Sequence, residues 1–287
     1  MDNTPTAETT GTIAFQGEPG AYSHLACRKA FPSMEPLAFP TFAGAFKAVE
    51  SGAVDYAMIP IENSLGGRVA DIHHLLPDSS LFIVAEHFQP IHHCLLGAPG
   101  ASLESIQRVE SHPQALAQCR ELITELGVEA VPVADTAGAA KDIGERGDPK
   151  VGALASVLAG EVYGLEVLRK RVEDRLGNTT RFIVMSRTRQ EADLHNGAAM
   201  TSLLFQVRSV PAALYKSLAG FATAGVNITK LESYIVDGSF TAAQFYAEIE
   251  GHPSDALVKG ALDELQYFST NLRVLGVYRQ HTFRAGS

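Results

Sequence analysis

The chain reads as an α/β region followed by a βαββαβ module, and three observations predict this. Up to about residue 187, short apolar runs rich in β-branched residues alternate with helical patterns. The stretch 188–200 then breaks the alternation; it is polar and contains His195-Asn196-Gly197, the composition of a linker. After it the pattern restarts as strand, helix, strand, strand, helix, strand over 201–280.

In chain order, residues 1–11 are polar and Thr-rich, with neither a basic start nor an apolar core, so a disordered tail is expected rather than a secretory signal. Thr12-Ile13-Ala14-Phe15 is a strand, and Gly17-Glu18-Pro19-Gly20-Ala21-Tyr22-Ser23 turns into a helix to Ala30, with Ser23 a candidate cap. A strand, a glycine turn and a helix start present free N–H groups to an anion. Leu37-Ala38-Phe39 is a strand; Thr41 caps a helix over 42–51 that Gly52 ends. The strand 56–61 exits into Glu62-Asn63-Ser64-Leu65-Gly66-Gly67, ahead of a helix over 69–76. A strand follows at 81–86, then the apolar stretch 91–96 and a helical turn near 102–105. Then Val109-Glu110-Ser111 ends a strand, with Ser111 placed to cap a long helix to Leu126 that carries Gln114 and Gln118 on one face. A strand at 131–133, a helix over 137–145 capped by Asp135-Thr136, a strand at 151–155 and a short helix over 157–163 continue the alternation, and 165–172 returns toward the Thr-Thr-Arg-Phe strand. Asn178-Thr179-Thr180-Arg181-Phe182 opens an apolar run, placing two hydroxyls and a cation at the mouth of a buried strand. Beyond the linker come a strand at 201–207, a helix over 211–224, a hairpin about Asp237-Gly238, a helix over 255–268 and a strand at 272–278, the ferredoxin-like order.

The 287 residues leave room for two domains, and 46% hydrophobic with 19% charged residues is ordinary for a globular chain. A net charge of −9 disfavours nucleic acid and acidic membrane surfaces, and no apolar run has bilayer length. Cys27, Cys94 and Cys119 have no metal spacing and suit buried thiols in the cytoplasm. His73-His74 and His92-His93 are adjacent pairs whose side chains diverge, a poor metal arrangement.

Four motifs in order, Gly17-Glu18-Pro19-Gly20-Ala21-Tyr22-Ser23, Ile59-Pro60-Ile61-Glu62-Asn63-Ser64, Ser111-His112-Pro113-Gln114-Ala115-Leu116-Ala117-Gln118 and Thr180-Arg181-Phe182, resemble prephenate dehydratase. Pro211-Ala212-Ala213-Leu214 through Lys230-Leu231-Glu232-Ser233 resembles the ACT regulatory domain of that family. The resemblance spans about residues 12–280. It implies conversion of prephenate to phenylpyruvate, carbon dioxide and water, without metal or other cofactor. It implies a catalytic domain over 12–187, similar to periplasmic binding proteins. One lobe would span about 12–85 plus 172–187 and the other about 86–171, with the site in the cleft. The ACT domain would cover 201–280 and a tail 281–287.

By the same resemblance Thr180, Asn63, Ser111 and Gln118 are the catalytic candidates, and Arg181, Phe182, Ser23, Tyr22, Ser64 and Thr179 the substrate-binding ones. Ala212, Ala213, Leu214, Asn227, Ile228, Glu232 and Ser233 are candidates for regulatory phenylalanine. A homodimer or homotetramer is implied. Arg181 is either a carboxylate clamp or half of a structural ion pair. The chain departs from the family where Asp135 replaces a usual glutamate and where Ala212 and Tyr234-Ile235 replace Gly and Arg-Pro.

Hydroxide is a poor leaving group and needs a donor. The ring carboxylate loses its charge as carbon dioxide forms, so a cation on it would hold the ground state, whereas uncharged amides would not. Two alternatives remain: arogenate as substrate, or a non-catalytic two-lobed protein that binds a solute or senses an amino acid.

Overall fold

A computed structural model describes residues 5–193, 195, 197–208, 210–236 and 239–286, with the backbone alone for 235–236, 239–243 and 285–286. The turn expected about Asp237-Gly238, Asn196 of the expected linker, and residues 1–4 and 287 of the expected tails lie outside the described residues. The chain runs β1 (Gly11–Gln16), α1 (Tyr22–Ala30), β2 (Met34–Phe39), α2 (Phe42–Ser51), β3 (Tyr56–Asn63), β4 (Gly67–Arg68), α3 (Ala70–Leu75), β5 (Phe82–Pro90), β6 (Cys94–Gly97) and β7 (Arg108–Ser111). It continues α4 (Pro113–Gln118), α5 (Arg120–Leu126), β8 (Glu129–Pro132), α6 (Thr136–Arg146), β9 (Val151–Ala155), α7 (Val157–Tyr163), β10 (Glu166–Lys170) and β11 (Thr179–Ser186). Last come β12 (Ala199–Val207), α8 (Ala213–Ala224), β13 (Ile228–Val236), β14 (Ser239–Glu250), α9 (Ala256–Phe268), β15 (Ser269–Arg279) and a 3-10 turn (Thr282–Gly286).

Two compact units form: Thr6–Leu76 with His87–Phe182, and Pro77–Glu86 with 183–286. The segment 77–86 thus belongs with the C-terminal unit, and β5 and β11 cross the division. Ahead of the C-terminal module one sheet is ordered β2-β1-β3-β11-β5, with β4 on β3, and another β10-β6-β9-β7-β8. Parallel pairs join β1 to β2 and β3, and β7 to β8 and β9. However, β6 runs antiparallel to β9 and β10, and β4 to β3, so the sheets are mixed where alternation predicts mostly parallel strands.

Local chemistry sets most helix ends. Thr41 accepts from Gly44 N to start α2, Asp135 from Gly138 N (2.7 Å) to start α6, and Ser156 from Ala159 N to start α7. Three helix expectations fail here, those for Ser23, Ser111 and a single helix to Leu126. α1 starts at Ala21 without a side-chain cap, so Ser23 lies inside the helix. Ser111 does not cap α4; His112 does, through Nδ1 accepting from Gln114 N. The long helix to Leu126 is two, broken at Cys119, while the turn expected near 102–105 is present. Gly20 sits at φ +91°, and a Cβ there would come 2.7 Å from the Ala159 Cα, so the turn into α1 packs too closely for any side chain.

In the C-terminal unit β13-β14-β12-β15 form an antiparallel sheet with α8 and α9, the βαββαβ order. Its core includes Phe205 stacked on Phe245 (centroids 5.3 Å), Phe221, Ile249 and Leu265. The stretch read as linker is partly built in: Ala192 is buried and its N–H donates to the Val277 carbonyl. The C-terminal stretch read as a tail forms the 3-10 turn.

Ala212, ahead of α8, has φ +62°. A left-handed alanine costs about 1–2 kcal/mol, while glycine's extra unfolded-state entropy costs about 0.5–1. Ala212→Gly should therefore stabilise the protein by roughly 0.5–1 kcal/mol, read as a raised unfolding midpoint. A lowered midpoint would show that the alanine methyl is held by packing that compensates the strain.

Candidate functional site

Thr180 lies on β11 beside Asn63 at the end of β3, two neighbouring strands. The Asn63 Oδ1 accepts from Leu65 N (3.0 Å) and Gly66 N (2.7 Å), closing the turn after β3. This fixes the amide, so Nδ2 must face Thr180 Oγ1 (2.9 Å) and Asn178 Oδ1 (2.7 Å). Thr180 is therefore an acceptor toward Asn63, and its own hydrogen is free to point elsewhere. That elsewhere is a cavity of about 400 Å³, the size of a small-molecule site. It lies within the first unit, with walls from both sheets' loops.

The amide chain continues. Asn178 Nδ2 donates to Gln118 Oε1 (2.9 Å), which also faces His93 Nε2 (3.1 Å). With Gln118 presenting an oxygen, His93 carries its hydrogen on Nε2, and Nδ1 is an acceptor for the Tyr22 hydroxyl (2.7 Å). The Tyr22 hydrogen lies between that nitrogen and the His92 carbonyl (3.0 Å). Two backbone N–H groups thus orient side chains from Asn63 through to Tyr22.

Burial holds the His93 pKa below the ordinary imidazole range despite the Gln118 hydrogen bond and the Glu173 charge, and it keeps Tyr22 protonated far above the usual phenol range. A histidine depressed from 6.5 contributes stability above that pH and loses it as pH falls through the folded value. Turnover should be flat through about pH 7–9 and fall, together with the unfolding midpoint, on the acid side of 6.5. A pH–rate profile that declines between 7 and 9 would contradict neutral His93 as the working form.

Tyr22, Ser23, Asn63, Gln118, Thr180 and Phe182 of the expected residues line this cavity. Four do not. Strand alternation puts Thr180 and Phe182 on one face of β11 and Thr179 and Arg181 on the other. Arg181 is 3% exposed, its Nη1 pairs with Glu62 Oε1 at 2.9 Å, and its guanidinium lies 5.9 Å from the Phe88 ring centre. Of the two readings of Arg181 the geometry gives the ion pair, which corrects its place among the substrate-binding candidates. Thr179 is buried, and Ser64 clasps the same loop, accepting from Thr179 N and donating to the Gly177 carbonyl. Ser111 is fully buried and donates to the Leu154 carbonyl (2.6 Å), since it closes a strand rather than opening a helix.

The cavity also takes in Gln16 and Phe42, together with His93, His112 and Asn178, which the sequence named within a pair or motif but not as site candidates. Asp135 lines it with Thr136, but its Oδ1 is occupied by the α6 cap, as the shorter side chain implies. The His92-His93 pair divides: His92 Nδ1 meets Glu173 (2.7 Å) while His93 faces the cavity. Adjacent residues pointing apart was foreseeable; a neutral buried histidine joined to an amide chain was not.

The regulatory candidates fall at two ends of the C-terminal sheet. Ile228 is level with Ile249 and Thr201, next to Asn227, whereas Ser233 is level with Phe245 and Phe205, towards the end where β12 leads to Ala212-Ala213-Leu214. Glu232 pairs with Lys230 on its own strand (3.5 Å). Ala213 is buried and Leu214 packs on the core. Among the described residues no three His, Cys, Asp or Glu side chains are placed to hold a metal ion, and no helix is long and apolar enough to cross a membrane.

The family model for prephenate dehydratase matches residues 13–190. The chain belongs to the prephenate dehydratase family. It is 53% identical over 272 residues to a bifunctional N-acyl-homoserine lactone acylase/prephenate dehydratase of Komagataeibacter europaeus, covering 95% of this chain and 97% of the relative. It is 40% identical to arogenate dehydratase/prephenate dehydratase 1, chloroplastic, of Arabidopsis thaliana, covering 93% of this chain and 71% of that one. The crystal structure of prephenate dehydratase from Arthrobacter aurescens in complex with L-Phe is similar with a TM-score of 0.86 at 30% identity, over 94% of this chain and 90% of that one. Membership makes the protein an enzyme, a lyase of phenylalanine biosynthesis that couples dehydration to decarboxylation, and the reading as a prephenate dehydratase holds.

Proposed function

We propose that the cavity beside Thr180 is where prephenate loses water and carbon dioxide, with Thr180 donating its hydrogen bond to the departing ring oxygen. The observation that carries this is the Asn63 Nδ2–Thr180 Oγ1 contact of 2.9 Å, which occupies the hydroxyl's acceptor side and leaves its hydrogen for the cavity. The C–O bond breaks as the bond to the ring carboxylate breaks, and the electron pair freed by decarboxylation enters the ring and makes it aromatic. A threonine is too weak an acid to surrender its proton for good, so the proton that completes the water molecule comes from solvent in the cavity, and the hydroxyl stabilises the oxygen in transit. Uncharged Asn63, Asn178 and Gln118 surround a carboxylate that loses its charge, in keeping with catalysis that does not grip the ground state. The start of α1, uncapped and carrying Tyr22 and Ser23, adds N–H donors.

The two sheets around one cavity support the two-lobed reading of the catalytic region. The βαββαβ module, with the motifs at 211–214 and 230–233, supports an ACT domain over 201–280 and L-phenylalanine as effector in a homodimer or homotetramer. The L-Phe complex of the Arthrobacter relative points the same way. Three buried free thiols fit the cytoplasm. The Arabidopsis relative's name favours testing arogenate beside prephenate, and the Komagataeibacter relative's favours testing an N-acyl-homoserine lactone.

Incubation with prephenate should yield phenylpyruvate, read by its absorbance in alkali, and phenylalanine should alter the rate and give a binding isotherm. Intact prephenate beside consumed arogenate would transfer the proposal to that substrate. A rate and a calorimetric trace indifferent to phenylalanine would remove the effector.

A further inference from the structure

Among the described residues no lysine or arginine lines the main cavity, although the proposed substrate is a dianion. Only one of its carboxylates disappears; the other, on the pyruvyl arm, survives into the product. A cation on the surviving group does not oppose the reaction. The one arginine that the motifs offered, Arg181, is spent on Glu62.

A second cavity of about 460 Å³ adjoins the first and shares Gln114 and Gln118 with it. Its walls include Leu65, Arg120, Asp174 and Arg175. Neither Arg120 nor Arg175 has a carboxylate partner for its guanidinium among the described residues. The carboxylate in the wall is already used: Asp174 accepts from Arg120 N (2.9 Å) and Glu121 N (3.0 Å) at the start of α5. Leu65 belongs to the turn that orients Asn63, and Gln118 to the amide chain that ends at Tyr22, so this annex opens beside the reacting groups. Between the cavities Gln114 leans on Gly66; a Cβ at Gly66 would overlap its Nε2.

We propose that the annex is the subsite for the surviving carboxylate, held by the guanidinium groups of Arg120 and Arg175, with the ring in the main cavity against Thr180. This rests on prephenate being the substrate. It assigns the annex a ligand class: a carboxylate on a short flexible arm attached to an apolar ring, the arm passing Gln114. Substrate specificity then divides between two places. The annex recognises the arm's charge, and the main cavity recognises the ring, its hydroxyl and the carboxylate that leaves.

The test compares the full-length enzyme with Arg120→Gln/Arg175→Gln, and with Lys29→Gln/Lys47→Gln, which removes two exposed charges that line neither cavity. Both arginines are exposed, so the unfolding midpoint should not move. The arginine variant should raise KM for prephenate roughly tenfold to a hundredfold with kcat within about threefold, the mark of binding lost equally from ground and transition states. Inhibition by phenylpyruvate should weaken in parallel, while its neutral methyl ester should inhibit both enzymes alike. An unchanged KM overturns the assignment and returns the carboxylate to the α1 start. An equal rise in the lysine variant overturns it too, as an effect of overall charge. Wild-type protein that leaves prephenate intact would instead refute the underlying activity, a distinct outcome.

Discussion

Thr180→Ala should lower kcat by about 10²–10⁴, the range for removing a positioned proton donor, while KM changes little and the fold is kept. The geometry explains why the loss should sit in kcat. Thr180 Oγ1 already accepts from Asn63, so only its donated bond is available to a ligand, and that bond strengthens as the ring oxygen gains charge. Thr180→Ser keeps the hydroxyl and should recover most of the rate, although serine explores rotamers that the branched side chain does not. Removing a half-buried methyl and hydroxyl should cost little stability. An alanine variant within about threefold of wild type would take Thr180 out of the chemistry, on a scale where tenfold is about 1.4 kcal/mol.

Arg284→Ala should produce the largest stability loss in the C-terminal unit. Arg284 reaches from the 3-10 turn to Glu86, through Nε (2.8 Å) and Nη2 (2.9 Å), and to Glu248 through Nη2 (3.2 Å). The two carboxylate side chains are 0% and 1% exposed. Glu86 also accepts from His281 N, and Glu248 from the Tyr246 hydroxyl (2.5 Å), so both are held in place with their charges. Taking the guanidinium away removes a shared cation from two buried carboxylates, and breaking a buried pair costs about 3–5 kcal/mol. Lysine should rescue little, because an ammonium cannot serve both carboxylates with the fork that guanidinium offers. Thermal unfolding of the three proteins measures this; a midpoint for Arg284→Ala equal to wild type would mean the carboxylates find other partners. Turnover at low temperature should be unaffected, as Arg284 lines neither cavity.

What the sequence showed and what it hid follow from the range of the interactions. Helix starts at Thr41, Asp135 and Asp255 are set within three residues, and all three were legible or nearly so. The Thr-Thr-Arg-Phe stretch was found as a motif, but treating it as one site ignored the two-residue period of a strand, which turns half of it away. Ser111 failed for a similar local reason: one residue of shift made it a strand end and gave the cap to His112. The amide chain joins Asn63 to Asn178 and Gln118 to His93 across 115 and 25 residues, and Arg284 meets Glu86 across 198. No periodicity or propensity carries pairings of that span. Family motifs supplied Asn63, Gln118 and Thr180; they supplied neither His93 nor the annex arginines.

The most direct measurement is a crystal structure of Thr180→Ala soaked with prephenate. The account predicts the ring hydroxyl within hydrogen-bond reach of the place Thr180 Oγ1 occupies, and the ring carboxylate among the amides of Asn63, Asn178 and Gln118. Prephenate bound with its hydroxyl turned away from residue 180, or outside the cavity, would contradict it.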